Sequence, residues 1–135
     1  MSLVKEITSA VLFENSRFLQ IKTIYSDQLT VGQVLVKVLY SGVCRSQLME
    51  VRGQRGTDPW LPHLLGHEGS GVVVNVGEGV TKVRPGDEVI LTWIKGNGLE
   101  APGALYRCGE QVINSGPVTT FNNYTVVSEN RVVKK

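Results

Sequence analysis

The chain has very little of what marks a membrane protein, a nucleic-acid binder or a disulfide-stapled fold. No apolar run approaches the roughly 20 residues of a membrane-spanning helix. The opening MSLVKEITSA lacks the apolar core of a secretory leader. Net charge is only +2, and the basic residues are scattered apart from the terminal pair Lys134 and Lys135. That balance argues against a polyanion or a membrane surface as partner. Cysteine is scarce. Cys44 and Cys108 can form one bridge at most, which is no framework, so reduced thiols in the cytoplasm are the expectation. There is no internal repeat, heptad or low-complexity tract. A dinucleotide-binding unit is missing as well: the glycines of VGEGV lead into more strand rather than into a helix.

What is present suits one β-rich domain. A length of 135 residues can bury a real core, and a content of 41% hydrophobic and 19% charged residues is that of a soluble globular chain. Fifteen glycines fall largely at turn positions. Residues 7–14 read as a strand, NSR as its turn and residues 18–25 as the returning arm. In residues 32–44 Val34, Val36 and Val38 face one way and Leu35, Lys37 and Leu39 the other. RSQLMEVRG predicts a short helix capped by Ser46 and ended by Gly53. Residues 68–77 and 88–91 read as strands, the second entered through a type II turn at Pro85-Gly86. Residues 95–117 read as an irregular polar insertion, and TFNNYTVVSENRVVKK returns to strand character. The expected fold is mainly β, a partly open barrel with a short helix.

Cys44 ends one strong strand and His67 opens another, so their loops can meet at one end of a barrel. Thiolate and imidazole together suit zinc. Two donors do not make a catalytic metal site, however. On spacing alone, a buried structural cysteine beside a hydrogen-bonded histidine is the better explanation. His63 and His67 are not read as a metal pair, because Pro62 opposes the helix that this spacing requires.

Three segments in this order, SGVCRSQLMEVRG, LLGHEGSGVVVNVGEGVTKVRPGDEVI and TFNNYTVVSENRVVKK, change that balance. Together they resemble the N-terminal GroES-like catalytic domain of zinc-dependent medium-chain alcohol dehydrogenases, over nearly the whole chain (residues 1–135). The resemblance implies a GroES-like barrel and an alcohol or polyol dehydrogenase that passes hydride from a zinc-held alkoxide to NAD or NADP. It implies Cys44 and His67 as catalytic zinc ligands and Glu68 as an acidic neighbour of the metal. Ser46 matches the hydroxyl that relays the alcohol proton, and Arg45 a contact to the cofactor pyrophosphate. Trp93 matches a wall of the substrate pocket, with simple core filling as its equal alternative. In that reading Gly66 turns the chain into His67, while Gly69 and Gly71 give backbone clearance.

The sequence also departs from the family pattern. The third zinc ligand and the Rossmann NAD(P)-binding domain are expected beyond Lys135. This domain is therefore expected to be inactive alone, and homo-oligomerisation is expected of the longer protein. Gln47 stands where an aspartate often orients the histidine ligand, and Met49 stands near a relay histidine of some members. With Cys108 alone in the region that can hold four cysteines, no structural zinc is expected. Two other readings share the fold: a zinc-free quinone or enoyl reductase, and a non-enzymatic GroES-like binding barrel. The Cys44–His67 pair counts against both.

Overall fold

A computed structural model describes residues 5–135. Residues 1–4 of the opening segment lie outside the described part. Among the described residues, nine strands form two antiparallel sheets. β1 (Lys5–Val11) pairs with β2 (Gln20–Ser26) along its full length, from Lys5↔Ser26 to Val11↔Gln20. β2 continues into β6 (Tyr106–Cys108) and β7 (Gln111–Ile113), giving the order β1-β2-β6-β7. The second sheet runs β8-β3-β4-β5-β9. Its members are β3 (Gln33–Ser41), β4 (Glu68–Val76), β5 (Glu88–Thr92), β8 (Tyr124–Ser128) and β9 (Val132–Lys134). The two sheets do not close, which is the partly open barrel expected of the sequence.

The core explains why β3 carries so long an apolar run. Leu35 packs with Ile7, Val11, Ile24, Tyr106 and Val126 in one cluster. Its neighbours Val34 and Val36 pack with Val73, Val89, Leu91 and Val127 in another. The strand is thus buried on both faces in its first half, and the period of two sorts its residues between two clusters. Beyond Val36 the expected alternation fails. Val38 opposes Gly71 and Tyr40 opposes Ser70, so Leu39 is an extra residue; a second irregularity lies between Leu35 and Val36. These bulges bend β3 over β4.

Several local expectations hold. Gly86 has φ +95 at the third position of a turn closed by the Asp87 N–H on the Arg84 carbonyl at 3.1 Å. Gly53, at φ +71, follows the helix end. Three expectations need correction. The connection between β1 and β2 is longer than NSR, because pairing stops at Val11 and resumes at Gln20. The helix α1 (Arg45–Val51) is capped by Cys44, not Ser46, since Gln47 folds back and its Oε1 accepts the Cys44 N–H at 2.7 Å. The segment 95–117 is not wholly irregular: it holds the β6–β7 hairpin, turned at Gly109 and fixed by Tyr106, which is completely buried. The Tyr106 hydroxyl accepts the Val126 N–H at 2.9 Å, and burial pushes its pKa up. Among the described residues no helix is long and apolar enough to cross a membrane.

Candidate functional site

The residues singled out from sequence gather where β3 ends, α1 begins and β4 starts. β4 delivers Glu68 opposite Thr92 of β5, and the Gly42 N–H donates to the Glu68 carbonyl at 2.9 Å. That bond ties the approach to Cys44 to the start of β4. Gly66 is needed just before it. Its φ is +93, and a side chain there would collide with Thr120 and Phe121, whose N–H groups reach the Leu65 carbonyl at 3.0 and 3.1 Å.

Gln47 is the organising side chain. It is 5% exposed, and its two amide atoms serve different partners. Oε1 accepts the Cys44 N–H at 2.7 Å, while Nε2 lies 2.9 Å from His67 Nδ1 and 3.2 Å from Ser46 Oγ. Because Oε1 is committed to a donor, Nε2 presents N–H to the imidazole and leaves Nε2 of His67 as the outward ring atom. A ligand bound at that atom requires a proton at Nδ1. The Gln47 amide must then turn over, handing its oxygen to His67 and releasing the Cys44 N–H.

Cys44 is half-buried and its thiol is free. The Ser46 hydroxyl and the N–H groups of Ser46 and Arg45 hold its pKa below the ordinary thiol range, against slight burial and the Glu68 carboxylate, which push it up. Arg45 is exposed at the first helical position. Glu68 is exposed and close enough for its charge to be felt at Cys44. Trp93 is 60% exposed, so core filling is not its role. Its ring lies edge-on to His67 with centroids 6.3 Å apart.

A cleft of about 430 Å3 opens beside His67 and Gln47 and is walled by Trp60, not by Trp93. The far side of this cleft holds Glu50, Asp58 and His63. Sequence reading set His63 aside as a partner of His67, and its ring indeed bonds elsewhere: Nε2 lies 2.7 Å from Asp58 Oδ2. Burial pushes the Asp58 carboxyl up, but the His63 hydrogen bond, the Trp60 N–H and the His63 charge outweigh it and hold the group below the usual range. Neither Glu50 nor Asp58 nor Trp60 was legible as a site residue. The only signal was their spacing around α1 and the proline-containing loop, which acquires meaning once that loop folds back on the helix.

The alcohol dehydrogenase GroES-like domain model matches residues 30–135. S-(hydroxymethyl)glutathione dehydrogenase of Escherichia coli is 34% identical over 93% of this chain and 41% of that protein. The corresponding protein of Photobacterium damsela is 35% identical over 76% of this chain and 34% of its own length. The chain thus spans about 41% of the length of the Escherichia coli relative. Benzyl alcohol dehydrogenase from Acinetobacter calcoaceticus superposes with a TM-score of 0.77 at 28% identity, over 97% of this chain and 41% of that one. An alcohol dehydrogenase zinc-binding domain protein from Burkholderia ambifaria superposes with a TM-score of 0.83 at 23% identity, over 97% of this chain and 42% of that one, a likeness of fold. With its two open sheets and a family match across most of its length, the chain belongs to the alcohol dehydrogenase GroES-like domain family, a family of oxidoreductase domains.

Proposed function

We propose that the chain is the substrate- and metal-bearing domain of a zinc-dependent alcohol or polyol dehydrogenase that uses NAD or NADP. The observation that carries this reading is the Cys44–Gln47–His67 arrangement. One buried amide bonds the backbone of the cysteine and the ring of the histidine, so a sulfur and a nitrogen donor are mounted on one frame. The donor set suits zinc: a thiol whose pKa is lowered and an imidazole whose outward Nε2 becomes a free donor once the Gln47 amide turns its oxygen toward Nδ1–H. In this reading Cys44 and His67 hold the metal and Glu68 stands beside it. When bound, zinc supplies Lewis acidity to the alcohol, and the nicotinamide ring takes the hydride.

The chain's own residues do the rest. Ser46, within reach of the Cys44 sulfur and the Gln47 amide, accepts the alcohol proton and passes it outward. Arg45, exposed beside it, offers a guanidinium fork to the cofactor pyrophosphate. Trp60 walls the cleft beside His67, and Trp93, edge-on to the His67 ring outside that cleft, flanks the approach of the substrate. The third ligand and the Rossmann domain are supplied by further chain in the longer protein, consistent with relatives of more than twice this length. Activity is expected of that longer protein and not of this domain alone, in the cytoplasm and as a homo-oligomer.

Cobalt titration of the chain tests the metal assignment. Wild type should show a thiolate-to-cobalt absorption band, and Cys44→Ala should remove it. In the longer protein the same substitution should lower NAD(P)-dependent alcohol oxidation by at least a thousandfold, on the order of 4 kcal/mol in the barrier. Unchanged turnover in that variant favours the zinc-free reductase reading instead.

A further inference from the structure

We propose that Glu50, Asp58 and His63 form a second cation site, distinct from Cys44 and His67, that takes a divalent metal of the zinc type. The histidine is built for it. His63 is 7% exposed, and its backbone exchanges two hydrogen bonds with Leu12, each 3.0 Å, so the ring stands on a rigid frame. Nδ1 lies 2.9 Å from the Leu64 carbonyl oxygen. A carbonyl only accepts, so Nδ1 carries the hydrogen and Nε2 is the nitrogen turned toward the carboxylates. Asp58 Oδ2 is 2.7 Å and Glu50 Oε2 is 3.4 Å from it. All three donor atoms lie within 4.8 Å of one another.

Two carboxylates converge on one imidazole nitrogen, so a cation would replace the hydrogen bond between Asp58 and His63 and be shared by all three donor atoms. A proton on Nε2 leaves the trio with a net charge of −1, whereas a divalent metal on the neutral ring makes it neutral. Arg55 contacts the other Glu50 oxygen at 3.7 Å, but it is solvent-exposed and offsets little. Two donors are also held from behind, as metal ligands generally are. The Leu64 carbonyl fixes the His63 tautomer, and the Trp60 N–H donates to Asp58 Oδ1 at 3.0 Å. One imidazole and two carboxylates suit zinc, manganese or cobalt, and the adjoining cleft leaves the remaining position open to water or a ligand.

Zinc alone, titrated calorimetrically into the chain, is the probe. In a Cys44→Ala background the chain should still bind zinc. Adding Glu50→Gln or Asp58→Asn should weaken that binding by on the order of tenfold or more. Glu50 is part-exposed, so its variant should remain folded where Asp58→Asn does not, and a circular-dichroism melt checks both. Loss of all zinc binding in Cys44→Ala, or undiminished binding in the added Glu50→Gln variant, overturns the proposal. Binding that survives Cys44→Ala in a chain whose wild type shows no thiolate–cobalt band supports this site while removing the one proposed for Cys44.

Discussion

Glu129 shows how much one residue can hold. It is buried in a 3-10 turn (Glu129–Arg131) between β8 and β9. Its Oε2 accepts the N–H groups of Thr81 and Lys82, each at 2.8 Å, and its Oε1 accepts that of Leu99 at 2.6 Å. Burial pushes the carboxyl up, but these donors and the Lys82 charge outweigh it, so its pKa lies below the usual range. Glu129→Gln keeps one acceptor and turns an amide N–H toward donors that then lack a partner. It should cost about 2–3 kcal/mol, read as a lower midpoint in urea with an unchanged slope; a midpoint equal to wild type removes this role. Nothing in SENRVV announces it, because the donors come from remote segments. Gln47 was only half legible for a similar reason. Its position marked it as a stand-in for an aspartate, but the committed direction of its amide follows from the Cys44 N–H, which only the folded helix start supplies.

At the scale of elements, strand identity was readable where apolar residues ran long and turns carried glycine or proline. β3, β4 and β5 are the cases, because burial on one or both faces dictates their composition. The β6–β7 hairpin was not readable. Three-residue arms are too short to show a period, and their stability comes from pairing with β2 and from the Tyr106 anchor. Gly69 and Gly71 were expected to leave room for close backbone approach around the site, and the backbone that approaches them is that of β3: a side chain at Gly69 would lie 2.5 Å from the Tyr40 carbonyl oxygen, and one at Gly71 would run into that of Lys37. They let β4 pass close under the bulged strand. Gly71→Ala should therefore destabilise by about 1–3 kcal/mol through overpacking. Gly56→Ala, which meets no neighbour, is the control, although its φ of +90 carries its own strain. Thermal melts in which Gly71→Ala matches wild type would remove the close-approach argument.

For the whole molecule, acid sensitivity follows from two carboxylates held below their ordinary range. Glu129 and Asp58 both have lowered folded-state pKa values. Each therefore contributes stability that is fully present above its unfolded value, roughly 4, and lost as pH falls through the folded value. Melting temperature should fall between about pH 5 and 3, and fall less steeply in a Glu129→Gln variant. An equal slope in that variant assigns the acid limb to other groups.

The linear chain carried the class of fold, the central strands, the Pro85-Gly86 turn and the donor types of Cys44 and His67, because periodicity, turn stereochemistry and side-chain type are local properties. Tertiary structure decided the rest. It put Gln47 between the cysteine and the histidine, set Trp93 in the open, and brought Asp58 and His63 against Glu50 of the helix. Those relations exist only where segments far apart in sequence are pressed together, since a hydrogen bond or a shared cation is a property of distance and not of spacing along the chain.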